Sequence, residues 1–112
     1  MSNATANVEL LQGTLDLLIL KALTLGPLHG WAIARRIQEM SREVLTINQG
    51  SLYPALYRLE DRRLIVSEPG TAPNGRRIAL YKQTAAGRKQ LEQKIESWEA
   101  FAAAMRHVIR YA

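Results

Sequence analysis

Two runs of this sequence hold polar and cationic side chains of kinds that recognise a polyanion bearing hydrogen-bonding edges. The first, from Asn48 to Glu60, offers Gln49, Ser51, Tyr53 and Arg58; the second, from Gly75 to Thr84, offers Arg76, Arg77 and Lys82. A primary amide such as that of Gln49 donates and accepts in one plane and can pair bidentately with an adenine edge. Guanidinium groups match phosphate oxygens with a planar fork, and hydroxyls add single bonds. A polar helix start beside a flexible cationic hairpin could touch base edges and phosphates of one DNA duplex at once.

Each of these residues also has a plainer reading. Gln49 and Ser51 could be solvated residues of a helix cap. Tyr53 could donate its hydroxyl to a phosphate or pack its ring against the hairpin. Arg58 could lie near phosphates or pair with Glu60 or Asp61, a contact worth little on a surface. Arg76 and Arg77 have the clearest functional reading, at a narrow minor groove or on phosphates, against that of a merely soluble hairpin. Lys82 extends their patch, whereas Arg35 and Arg36 read as a solvated face.

Charge distribution favours the polyanion. The 112 residues carry 15 Lys+Arg against 10 Asp+Glu, a net +5 with a pI near 10. Between Tyr53 and Lys89 stand Arg58, Arg62, Arg63, Arg76, Arg77, Lys82, Arg88 and Lys89 against Glu60, Asp61 and Glu68, so this window alone accounts for the whole excess. Other chemistry has little support. Cysteine is absent, which removes disulfides and thiolate metal sites and is compatible with a reducing cytoplasm, the expected location. His29 and His107 are far apart in sequence and give no metal motif; His29 reads as positioning a turn. No nucleophile stands with a plausible base, and no glycine loop of the phosphate-cradling kind occurs, so neither an enzyme nor a cofactor is expected. The mainly apolar run from Leu15 to Leu20 contains Asp16, ends at Lys21 and is too short for a membrane span; no signal peptide is expected, and Met1 to Ala4 reads as a leader outside the fold.

The elements that must position these side chains follow from periodicity. A helix is expected from about Glu9 to Leu25, apolar on more than one face: Leu11, Leu15, Leu18, Ala22 and Leu25 form one stripe, and Leu10, Leu17 and Leu20 lie off it. After a loop at Gly26-Pro27-Leu28-His29-Gly30, a second helix carries Trp31, Ile33, Ala34, Ile37 and Met40 at helical spacing. Asn48 can cap a third, with Leu52, Ala55, Leu56 and Leu59 buried and Pro54 beyond its first turn. Leu64 to Glu68 and Ile78 to Gln83 read as strands, with Pro69, Gly70, Pro73, Asn74 and Gly75 as the turn. Thr84 can cap a long last helix to about Arg110, whose stripe of Leu91, Ile95, Trp98, Ala102, Met105 and Ile109 needs a neighbouring helix or a second chain to cover it.

The order is that of a winged helix-turn-helix: mostly α with a small β-hairpin, plus a long C-terminal helix. Together with Gly26-Pro27-Leu28-His29-Gly30, Gly50-Ser51-Leu52-Tyr53-Pro54-Ala55-Leu56, Leu59-Glu60, Gly75-Arg76-Arg77, Tyr81, Thr84 and Gly87, it closely resembles the PadR-like transcriptional regulators from about Leu10 to Trp98. The resemblance implies a homodimeric repressor with its third helix in the major groove, its wing near the minor groove, and its last helix forming the dimer. A DNA-binding unit over 5–84 and a dimerisation helix over 85–112 are the corresponding divisions, and the short C-terminus matches the subfamily with one such helix. Some members of that subfamily bind planar aromatic compounds beside an interface tryptophan. Trp98 falls at that place, with Leu17, Ile95 and Met105 as candidate lining, although a tryptophan is more often a core or interface anchor than a ligand platform, and here it could be both. Two departures stand out. Arg63 occupies a position after the third helix where relatives commonly have glycine, and Trp31 replaces a more usual tyrosine, so a hydroxyl-to-phosphate contact does not carry over. The expected partner is a palindromic operator with half-sites about one helical turn apart; the rival reading is a winged-helix module that binds a protein and has no operator.

Overall fold

The computed structural model describes residues 14–112. The expected start of the first helix, with Leu10 and Leu11, and the leader at Met1 to Ala4 lie outside the described residues. Helix α1 occupies residues 14–22 and tightens into a 3-10 turn at Leu23–Leu25 before Gly26, whose φ of 136° favours glycine. That tightening rotates successive side chains by about 120° instead of 100°. Leu25 is thereby turned out of the expected stripe and is 81% exposed, while Leu15, Ile19, Leu20, Ala22 and Leu23 are buried.

Helix α2, Gly30–Met40, buries Ile33 and Ile37 but leaves Trp31 and Met40 exposed, a narrower stripe than the spacing suggested. The connection to the next helix passes through Arg42 and Glu43, both at positive φ, and closes with Glu43 N–H donating to the Gln38 carbonyl at 2.8 Å. Helix α3, Gln49–Asp61, begins as expected: Asn48 Oδ1 accepts from the Ser51 amide at 2.9 Å. Pro54 deletes an interior amide, yet the helix persists because Leu52, Ala55, Leu56 and Leu59 are all fully buried.

Past α3 the chain turns through Arg63 at φ 60°. Arg63 N–H donates to the Glu60 carbonyl and Leu64 N–H to the Leu59 carbonyl, both at 2.9 Å. These two bonds make a Schellman ending, in which the left-handed position normally goes to glycine and the following apolar residue packs back on the helix. Leu64 and Leu59 are both buried. The usual turn is thus kept, and arginine is strained in it by about 1–2 kcal/mol.

Strands β1, Ile65–Thr71, and β2, Arg77–Gln83, pair antiparallel from Ile65 opposite Gln83 to Thr71 opposite Arg77. Pro69 and Gly70 lie within β1 and not in the turn, which is confined to 72–76. On a two-stranded ribbon each strand has a free edge, where proline is tolerated. Gly70 faces Leu80 so closely that a Cβ would lie 2.5 Å from its Cδ1. Leu28, in the loop after α1, exchanges both backbone bonds with Tyr81 at 3.0 and 2.8 Å and so ties the base of the hairpin to the helices.

Helix α4, Ala85–Ile109, starts on Thr84, whose Oγ1 accepts from the Gly87 amide and donates to the carbonyls of Arg63 and Leu64. Gly87 presses on the Leu64 carbonyl, where no side chain fits. Leu91 is buried and Ile95 packs on the core, but Trp98, Phe101, Met105, Val108 and Ile109 are exposed. At 1.5 Å per residue α4 is about 37 Å long, and it accounts for the elongation of the molecule, 58 × 32 × 21 Å.

Candidate nucleic-acid interface

The first turn of α3 is open. Asn48, Gln49, Gly50 and Ser51 are all exposed, so the end of the helix that carries unpaired amides and the positive dipole faces solvent, an arrangement suited to an anion. Gln49 and Asn48 line one side of a cleft of about 490 Å3, and Trp31, Arg35, Gln38 and Glu39 of α2 line the other. On that far wall Trp31, spaced as part of an apolar stripe, is exposed, and Arg35, expected on a solvated face, lies against it. His29 stacks on Trp31 with centroids 5.9 Å apart and planes 8° from parallel. The Arg35 guanidinium lies 5.3 Å from the Trp31 ring centroid, and its Nε is 3.6 Å from Glu39. The signal was available: Trp31, Arg35 and Glu39 are spaced four apart, which aligns them on one helical face.

Tyr53 takes up a contact that was not foreseen. Its half-buried ring rests at the start of α2, where a Cβ on Gly30 would meet the hydroxyl at 2.7 Å. Tyr57 lies beside it, exposed and tilted by 43°. Arg58 pairs with neither Glu60 nor Asp61. Its Nη2 is bonded to Asp16 of α1 at 3.0 Å, and Glu60 instead accepts from the Ser67 hydroxyl at 2.7 Å. Sequence separation hid this pairing, because only the tertiary fold brings α1 against α3.

The hairpin presents Arg76 and Arg77 exposed at and beside its tip, where Gly75 has φ 87° and the Arg76 amide donates to Asn74 Oδ1. Lys82 lies nearer the base and is 3.6 Å from Glu68 across the strands, both groups about half exposed. At the base itself Tyr81 is buried. Desolvation raises its phenol above the ordinary 10.0, with the neighbouring charges of Glu60, Tyr57 and Tyr53 acting in the same direction.

The residues proposed to line a ligand slot divide into two groups. Leu17 and Ile95 pack against the core, whereas Trp98 and Met105 stand on the projecting part of α4, 41% and 45% exposed. Phe101, unremarked in the sequence, is the aromatic neighbour of Trp98, with centroids 5.9 Å apart and a tilt of 40°. Among the described residues there is no group of three His, Cys, Asp or Glu side chains that could hold a metal, and no helix long and apolar enough to cross a membrane.

This geometry has close counterparts among known proteins. The family model "Transcriptional regulator PadR-like family" matches residues 19–93. The transcriptional regulator Rv3488 of Mycobacterium tuberculosis is 40% identical over 65 residues, 58% of this chain and 60% of that protein. An uncharacterised protein of Lysinibacillus sphaericus is 24% identical over 90 residues, 80% of this chain and 83% of its own length. Among solved structures, a transcriptional regulator from Clostridium thermocellum superimposes with a TM-score of 0.83 at 29% identity, covering 91% of this chain and 99% of that one. A PadR-like regulator from Bacillus cereus, at 22% identity and a TM-score of 0.77 over 93% of this chain and 99% of its own, shares the fold. With the winged helix, the exposed start of α3 and the basic hairpin all present, the chain belongs to the PadR-like family, whose members are DNA-binding transcriptional regulators and not enzymes.

Proposed function

We propose that the chain is a cytoplasmic repressor that binds a palindromic operator as a two-fold dimer and is released by a planar aromatic ligand. The observation that carries this reading is the coexistence of an exposed α3 start, an exposed Arg76-Arg77 tip and an uncovered apolar stretch on α4 in one small chain. Gln49 and Ser51 supply sequence discrimination from the first turn of α3, and Arg76, Arg77 and Lys82 supply phosphate affinity. Tyr53 braces the start of α2, and Arg58 braces α1; both support the reading helix from behind.

Dimerisation through α4 follows from its surface. Trp98, Phe101, Met105, Val108 and Ile109 are a contiguous series of large apolar residues on successive turns, and such a surface is stabilised by burial against a copy of itself. On a two-fold axis, paired Trp98 side chains can leave a flat apolar slot between them, with Leu17, Ile95 and Met105 at its margins. A ligand there relieves repression only by binding better to a dimer whose reading helices no longer match the groove spacing. The residue 84/85 boundary is then a division of labour within one folding body, since Gly87 and Leu91 of α4 are buried with the rest.

The direct test is nuclease protection of the DNA upstream of the chain's own gene at moderate salt. A discrete, symmetric protected site supports the reading, and uniform weak protection argues against it. For the ligand, planar aromatic compounds are titrated while Trp98 fluorescence is followed in a Trp31→Phe background. Saturable quenching together with operator release is expected; quenching without release places the compound outside the regulatory step.

A further inference from the structure

The bond between Asp16 and Arg58 spans 42 residues of sequence and joins α1 to the last turn of α3. Asp16 retains 14% of its side-chain exposure and Arg58 53%. An ion pair between two exposed side chains contributes little, but this carboxylate is largely out of water, and Arg58 is the partner that the described residues supply. Loss of the guanidinium would leave a mostly desolvated charge unpaired. Arg58 is therefore engaged by Asp16, while about half of its side chain still faces solvent.

The geometry of α3 explains what such a bond can do. Its buried face is Leu52, Ala55, Leu56 and Leu59, a stripe that fixes which side of the helix turns inward and leaves the fine setting to directional contacts at its ends. A charge-assisted hydrogen bond has a preferred length and angle. Placed at one end of a rigid helix, it sets the azimuth of the side chains at the other end, about 13 Å away at 1.5 Å per residue, where Gln49 and Ser51 stand.

We propose that Asp16 is a positioning residue for DNA recognition: bonded to Arg58, it forms a strut between α1 and α3 that fixes the setting of the reading helix without touching DNA. The proposal rests on the reading that the first turn of α3 discriminates sequence.

The test uses the full chain and two duplexes, one selected for tight binding from a random pool and one of mixed sequence, each titrated across salt concentrations. Asp16→Ala and Arg58→Ala are each expected to weaken the selected duplex roughly tenfold, within the range shown by contacting residues that act together, and the double variant to be no weaker than either. Mixed-sequence affinity and the salt slope stay unchanged in both, which a phosphate-contacting arginine could not satisfy. The exchanged pair Asp16→Arg with Arg58→Asp restores discrimination. If a single variant unfolds, as judged by circular dichroism, the exchanged pair and Asp16→Asn decide the matter. Tighter binding by Asp16→Ala, a lower slope in Arg58→Ala, or additive effects would overturn the proposal. Failure of the wild-type chain to select any sequence would instead remove the reading beneath it.

Discussion

Arg76 and Arg77 stand at a hairpin tip with exposed side chains, whereas Lys82 is partly neutralised by Glu68. The two arginines should therefore carry most of the wing's phosphate affinity. Replacing both with alanine is expected to weaken binding to all sequences and to lower the slope of log affinity against log salt by about 1.8, at roughly 0.9 per phosphate. An unchanged slope in the titration would reject the wing contact. Arg63 offers a test of stability independent of DNA. It holds a left-handed conformation at the end of α3, so Arg63→Gly removes steric strain but loosens the unfolded chain. The balance is a gain of about 0.5–1 kcal/mol, a rise of a few degrees in Tm by calorimetry. These residue types and their exposure were legible because hairpin tips and helix starts are solvent-facing by construction. What Arg58 and Tyr53 touch was not, since Asp16 and Gly30 come within reach only when α1 and α2 pack on α3.

Junctions between elements carry much of this fold. Thr84 accepts from one helix amide and donates to two carbonyls of the preceding turn, so Thr84→Ala should cost about 1–2 kcal/mol, read as a lower denaturation midpoint. Valine at that position, which keeps the shape and loses the hydroxyl, should be no better than alanine. Tyr81 gives a pH dependence with a definite sign. Burial holds its phenol above the ordinary value, so the fold favours the protonated form; the associated stability is complete below about pH 10 and is lost as pH rises through the folded value. Tyr81→Phe should flatten the alkaline limb of the stability curve, and an identical limb would show that other groups cause it. Helix order and both capping residues, Asn48 and Thr84, could be read from spacing. The Leu28 bridge to Tyr81 and the length of β1 could not, because proline and glycine at 69 and 70 mimic a turn and become acceptable only at the edge of a two-stranded ribbon.

In the whole molecule the long α4 accounts for the elongation, and in the proposed dimer it would set the spacing of the two copies. Its Trp98, Phe101 and Met105 project without cover; spacing alone required that the stripe be covered and left the first helix and a second chain as alternatives, because a single sequence does not display its own symmetry partners. Met105→Glu places a charge within the proposed interface and should yield monomers by sedimentation. Because the core is formed by other residues, the monomer should retain its helical circular dichroism. Loss of the dimer should also abolish selective DNA binding while leaving weak binding to mixed sequence, since each protomer alone engages only a half-site. The most direct measurement combines sedimentation and footprinting on a duplex selected by the wild-type chain. Two protomers on an inverted repeat, with half-site centres about 10 base pairs apart, is the expected result. One protomer on a site without symmetry, or no selected site at all, contradicts it.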